Sequence, residues 1–281
     1  CTLLRRLAVF LGGWTLEAAE VVCSELRITN YELRNAVPDL PVTRNSELVK
    51  LEDVLELLTH LVEKSLVIVE EQAGAARYYL LETIRQYARE KLFEAGEAEP
   101  VRAHHLAFFL RLAEEAEPKL RTTAQLTWLA RLDLEHDNLR AALKWAQGSG
   151  ALEAGLRLAG SLARFWYLRG FWKEGREWLK GQLAALRADQ ALTEPLARAK
   201  ARALAGAGWL ADADGSEIPL YTESLALSRQ VGDRWGEAYA LRGLVLINSN
   251  LTDLARAEAH LQASLTIFRT IDDPWGMGLV F

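Results

Sequence analysis

The chain has 281 residues, half of them hydrophobic, with seven prolines, two cysteines and a formal net charge of −5. That length holds two domains or one domain with a repeat array, and the Ala-, Leu-, Arg- and Glu-rich composition is that of a mostly helical protein. Cys1 and Cys23 are too few for a disulfide framework. No stretch approaches the roughly 18 consecutive apolar residues of a membrane span and no signal-peptide pattern is present, so a cytoplasmic location is expected.

Residues 3–11 carry apolar side chains at helical spacing, with Arg5 and Arg6 on the opposite side. Gly12-Gly13 ends that helix, and Thr15 is an N-cap for a second one running to about Ser24. Residues 27–50 lose periodicity and read as a loop or insertion. Val54, Leu57, Leu58, Leu61 and Val62 then form the apolar stripe of a helix over 51–63. Ser65–Val69 and Arg77–Leu81 are strand-like, joined by a turn at Gln72–Ala75. Three helices followed by a hairpin make a winged helix. A helix over Glu82–Glu94, stopped by Gly96, closes this part.

From Val101 onward the pattern is helical throughout: 104–117, 123–132 and 137–147, then pairs at 152–169 with 172–186, 195–211 with 217–231, and 235–249 with 254–270. A final helix begins at Trp275. The last sixty residues say nearly the same thing twice. Ser224-Leu225-Ala226-Leu227-Ser228-Arg229 and Asp233-Arg234-Trp235-Gly236 recur forty residues later as Ser264-Leu265-Thr266-Ile267-Phe268-Arg269 and Asp273-Pro274-Trp275-Gly276. Self-similarity at such a period marks a stacked-repeat solenoid, here with a longer period than the 34 residues of a tetratricopeptide repeat. The expected fold is mainly α: a winged helix with a small β-hairpin over 1–98, a helical connector over 99–150, and an α-solenoid of tetratricopeptide-like helix pairs over 151–281. The chain begins at Cys1 and stops at Phe281 within a further helix, so it is expected to be part of a longer protein.

Four strings, in order along the chain, resemble one family. They are Leu4-Arg5-Arg6-Leu7-Ala8-Val9-Phe10-Leu11-Gly12-Gly13-Trp14, Leu61-Val62-Glu63-Lys64-Ser65-Leu66-Val67, Tyr79-Leu80-Leu81-Glu82-Thr83-Ile84-Arg85-Gln86-Tyr87-Ala88, and Glu135-His136-Asp137-Asn138-Leu139-Arg140-Ala141-Ala142-Leu143. They are similar to the winged-helix and repeat portion of bacterial STAND-type regulatory ATPases, including AfsR-like and LuxR-type large transcriptional regulators. The resemblance implies a nucleotide-binding domain upstream of Cys1 that holds ATP or ADP, with this chain as hinge and sensor arm. No cofactor is expected within the chain itself, since it has no Gly-x-x-x-x-Gly-Lys-Ser/Thr phosphate loop.

Catalysis is not expected. The adjacent His104-His105 face different directions on a helix and lack further ligands at metal spacing, and His136 reads as part of a helix start capped by Asp137 or Asn138. DNA binding through the winged helix is disfavoured by Glu52, Asp53, Glu56 and Glu63 on the 51–63 helix, because phosphates repel such a face. Residues 1–100 hold 11 Lys and Arg against 17 Asp and Glu. Trp235 and Trp275 read as packing residues of the first helix of each repeat. Aligning Gly170, Gly215 and Thr252 as equivalent turns places Arg164, Tyr167, Trp209, Asp212, Arg242, Leu246 and Ser249 on the concave side of the array. That mixture of polar and aromatic groups suits a groove for a protein, peptide or small effector. The expected function is therefore a non-catalytic regulatory segment that relays effector binding through its hinge, with a DNA-binding transcription-factor module as the alternative.

Overall fold

A computed structural model describes residues 2–24, 49–72, 74–187, 190–211, 216–247 and 254–280, apart from the side chains of 246 and 247. The protein is mainly α, with helical repeats and one small two-stranded antiparallel hairpin among the described residues. The expected loop over 27–50 falls almost wholly outside them. The chain divides into two compact units, residues 1–112 with 130–151, and residues 113–129 with 152–281.

In the first unit, α1 (Thr2–Leu7) and α2 (Leu16–Cys23) precede a 3-10 turn (Leu51–Asp53) that leads into α3 (Val54–Glu63). Thr15 caps α2 as expected, its Oγ1 accepting from the Ala18 N–H at 3.2 Å. The hairpin of β1 (Ile68–Gln72) and β2 (Ala75–Tyr79) follows, paired from Ile68 with Tyr79 to Gln72 with Ala75. The first strand begins three residues later than its β-branched run predicts. Ser65 closes α3 in the left-handed region, at φ 55°, and Leu66 and Val67 both bond back to the Leu61 carbonyl. The helices α4 (Glu82–Glu94), α5 (Ala98–Lys119) and α6 (Gln125–Leu134), the last two shared with the second unit, and α7 (His136–Ser149) complete the set. α5 starts six residues earlier than its apolar periodicity shows, with Pro100 tolerated in its first turn.

Gly12-Gly13 does more than end α1. Beyond it, Trp14 exchanges two backbone hydrogen bonds of 2.9 Å with Tyr78, which adds a bridge to the hairpin edge. This requires Gly13 at φ 107°, and a Cβ there would lie 2.5 Å from the Tyr79 ring and 2.9 Å from the Tyr78 carbonyl oxygen. Gly13→Ala is expected to cost about 2–3 kcal/mol, read as a lower urea midpoint at unchanged slope.

Two arginines are buried where helical or strand periodicity would leave them in water. Arg6 is fully buried, not on a solvent face, because Glu97 receives it at 2.9 and 3.1 Å while also accepting from Arg5. Arg77 on β2 donates to Glu135 at 2.6 Å and to the carbonyls of Gly13 and Leu134. Asn138 is likewise buried, and it does not cap α7. Its side chain accepts from the Leu11 N–H and donates to the Gly13 carbonyl and to Glu135, each at 2.8 Å. The string Glu135–Leu143 is thus a polar staple that holds the Gly12-Gly13 turn.

The second unit contains α8 (Leu152–Arg169), α9 (Trp172–Ala184), α10 (Glu194–Trp209), α11 (Glu217–Gln230), α12 (Arg234–Ile247), α13 (Leu254–Thr270) and α14 (Pro274–Gly278). Successive helices pack as pairs, and α8 packs on α10 as α10 does on α12. The forty-residue echo has a physical reason at its serine, aspartate and turn positions. The Ser224 and Ser264 hydroxyls donate to the Ala201 and Ala238 carbonyls at 2.8 Å, tying each second helix to its first. Asp233 and Asp273 accept from the Gly236 and Gly276 N–H groups at 3.0 Å, capping α12 and α14. The turn ahead of each cap needs a left-handed residue, which is Gly232 in one copy and Asp272 in the other.

Candidate functional site

In the second unit, α8, α10 and α12 turn one face each towards a common cavity of about 180 Å³. Its volume arises from small residues at helix crossings. Gly160 and Ala163 on α8 and Ala201, Ala205 and Gly206 on α10 line it, and a Cβ on Gly206 would stand 2.8 Å from that of Ala163. The larger groups around this floor are aromatic or cationic.

Three rings of the lining meet in sequence. Trp209 on α10 lies 5.8 Å from Tyr239 on α12, and Tyr239 stacks on Trp235 at 4.9 Å and 18°. Tyr167 joins from α8, its half-exposed ring 5.0 Å from Trp209. Trp235 is fixed by its indole N–H, which donates to the Asp273 carboxylate at 2.8 Å. Arg121, from the turn after α5, is clamped between two indoles, with its guanidinium carbon 4.3 Å from the Trp235 centroid and 4.6 Å from that of Trp275. Arg164 on α8 lies 4.7 Å from Trp275 and donates to the Leu120 carbonyl at 3.1 Å. Each desolvated guanidinium–indole contact of this kind is worth about 1–2 kcal/mol.

Charge in the lining is uneven. Arg121, Arg164 and Arg202 face a single lining carboxylate, Glu117, which forms an ion pair with Arg121. Burial, with the neighbouring Arg164 and Arg202 cations, pushes Arg121 down to about 10, against partial relief from Tyr239 and Asp273. Burial also lowers Arg164, and it raises the Tyr239 phenol, which stays neutral. The Arg121 Nε and the Trp209 indole N–H find no hydrogen-bond partner among the described residues. Fixed cations beside flat apolar faces can hold a ligand that carries both a charge and a ring.

Of the residues expected on the concave side, Arg164 and Trp209 line the cavity and Tyr167 borders it through Trp209. Arg242 is buried beside it, 5.3 Å from the Trp209 centroid and donating to the Leu279 carbonyl at 2.8 Å. Leu246 lies on α12, but its side chain, like Asp212 and Ser249, is outside the described residues. Trp235 and Trp275, read from sequence as packing residues, are walls of the cavity. Arg121 could not be found by periodicity, because it comes from outside the repeats. The recurring Trp was the available signal for the other two.

The chain is 33% identical over 279 residues to a Mycobacterium tuberculosis protein named "Putative HTH-type transcriptional regulator", and to a protein of the same name from Mycobacterium bovis. The match takes in 97% of this chain but spans only 29% of the length of those relatives. An uncharacterised Mycobacterium tuberculosis protein is 38% identical over 103 residues, 37% of this chain and 21% of its own. No protein-family model matches the chain, and no solved structure matches it. The chain is therefore similar, along nearly its whole length, to part of much longer proteins named as HTH-type transcriptional regulators.

Proposed function

We propose that the chain is the regulatory segment of a transcriptional regulator, in which the helical repeats receive an effector and a winged-helix hinge passes the event on. In this reading residues 1–98 form the winged helix, 99–150 a connector and 151–281 a tetratricopeptide-like array. Nucleotide binds to another domain of a STAND-type parent, and the chain itself performs no catalysis. The observation that carries the reading is the arginine- and tryptophan-lined cavity, which gathers Arg164 and Trp209 from successive first helices onto one site. Rigid helix pairs that meet at a single ligand can couple its binding to their own spacing. In the parent regulator, Trp209→Ala is expected to fix transcriptional output in one state while protein abundance is unchanged. A normal response in that variant would defeat the reading.

DNA binding is the second reading. The exposed acids Glu52, Asp53, Glu56 and Glu63 on the 3-10 turn and α3, with Glu70 and Glu71 on β1, oppose it. In its favour, Arg85, Arg89, Arg102 and Lys144 line a cleft of about 490 Å³ in the first unit, and only Glu99 is acidic there. This basic cluster lies away from α3, on α4, α5 and α7. The 281-residue chain is expected to leave duplex DNA unshifted on a gel at about 50 mM salt. A shift that weakens steeply with salt, and is lost in Arg89→Glu/Lys144→Glu, would establish the second reading instead.

A further inference from the structure

We propose that the cavity of the second unit binds a small organic anion, with its carboxylate or phosphate oxygens on Arg164 and Arg121 and its flat apolar body along Trp209 and Tyr239. This rests on the reading of the repeats as an effector sensor and names the chemical class of the effector.

Of the three lining arginines, Arg121 and Arg202 have a carboxylate within ion-pair distance and Arg164 has none among the described residues. Glu117 is spent on Arg121. Asp233 lies 3.6 Å from Arg202. Asp273, which could answer Arg121 or Arg164, has one oxygen taken by the Trp235 indole N–H and the other by the Gly276 N–H. Arg164 is left with the Leu120 carbonyl and an indole face, and no carboxylate among the described residues. A guanidinium half removed from water and unanswered by a counter-ion is costly, and neighbouring cations add to that cost. At Arg121 burial first, and then the Arg164 and Arg202 charges, lower the affinity for its proton. A planar anion relieves it, because the guanidinium fork matches two oxygens of a carboxylate or phosphate.

Size decides between a small molecule and a polypeptide. A volume of about 180 Å³ lies below the roughly 300 Å³ at which sites for drug-sized ligands begin. One ring with one acidic group fits that space. Trp209 and Tyr239 supply a partly exposed aromatic wall for the ring, while Trp275 already carries two guanidinium groups over its ring.

The test is calorimetric titration of the 281-residue chain with benzoate, phenyl phosphate and neutral benzamide. One-to-one binding of benzoate or phenyl phosphate, at least about tenfold tighter than benzamide, is the expected result. The tighter of the two anions identifies the acid. Arg164→Gln, with its thermal midpoint checked without ligand, should remove the preference for anions, and Arg164→Lys should restore part of it. Equal binding of benzamide, or binding of neither anion, overturns the proposal. So does binding of an acidic hexapeptide where neither anion binds. These outcomes are independent of the transcriptional test. If the anions fail while Trp209→Ala still fixes output, the ligand class is wrong and the sensor stands. If the anions bind while Trp209→Ala responds normally, the site stands and the sensor fails.

Discussion

Replacing Glu97 with alanine is expected to cost about 3–5 kcal/mol, the usual penalty for stranding a buried charge. Glu97 is itself buried and takes four hydrogen bonds from Arg5 and Arg6, the second of which is fully buried. Arg6 also donates to the Cys23 carbonyl at 2.9 Å, so its guanidinium ties α1 to the end of α2 as well as to the start of α5. Burial works to raise the Glu97 carboxyl, but the bonds from Arg6 and Arg5 prevail and hold it below the ordinary glutamate range. Glu97→Gln keeps the shape but not the charge, and should lose most of the same energy. Arg6→Met with Glu97→Leu removes both buried charges at once and should recover much of the loss, because desolvation of the ion pair disappears with it. Equilibrium urea unfolding of the four proteins measures this directly. A Glu97→Ala chain within about 1 kcal/mol of the parent would show that water reaches Arg6.

The contrast between Arg6 and the forty-residue echo explains what could be read from sequence. Helix ends were legible because they are local. Gly96 and Gly170 stop helices in the left-handed region, and Thr15 and Asp273 cap them with their own side chains. The repeat was legible because Ser224, Asp233 and Gly236 serve the same contacts as their later copies. Arg6 and Arg77 escaped periodicity, which assigns a polar residue to water unless its partner is known, and Asn138 was read as a helix cap because its partners Leu11 and Gly13 are equally remote in sequence. Glu97, Glu135 and the Gly13 carbonyl come from distant parts of the chain. The cavity was half legible for the same reason. Arg164 and Trp209 follow the repeat geometry, whereas Arg121 enters from a turn outside the repeats to meet Trp235 and Trp275. Three of the seven expected groove residues, Asp212, Leu246 and Ser249, rest on residues or side chains outside those described.

Acid should destabilise the first unit from about pH 6.5 downwards, before its carboxylates begin to titrate. His104 and His105 are consecutive on α5 and both buried. The His104 Nε2 has no partner among the described residues. The His105 ring packs 4.5 Å from Phe109 and 5.4 Å from Phe10, its Nε2 3.4 Å from the Asn138 side-chain oxygen. Burial pushes both down to about 4, helped by the Arg6 charge at His104 and opposed by Asn138 at His105. In the unfolded chain each titrates near 6.5, so between pH 6.5 and 4 the unfolded state binds more protons. The contribution of the neutral histidines is whole above pH 6.5 and is lost as pH falls towards 4. The loss at pH 5 is about 2 kcal/mol for each histidine, or about 4 kcal/mol together, a large share of the stability of an ordinary domain. Glu97 adds its own loss only below the glutamate range. Urea unfolding at pH 7.5 and pH 5 should therefore differ by several kcal/mol, and His104→Leu with His105→Phe should flatten the profile over that window. Equal stability at the two pH values, or imidazole resonances of the folded chain that titrate near 6.5, would mean that both rings are solvated.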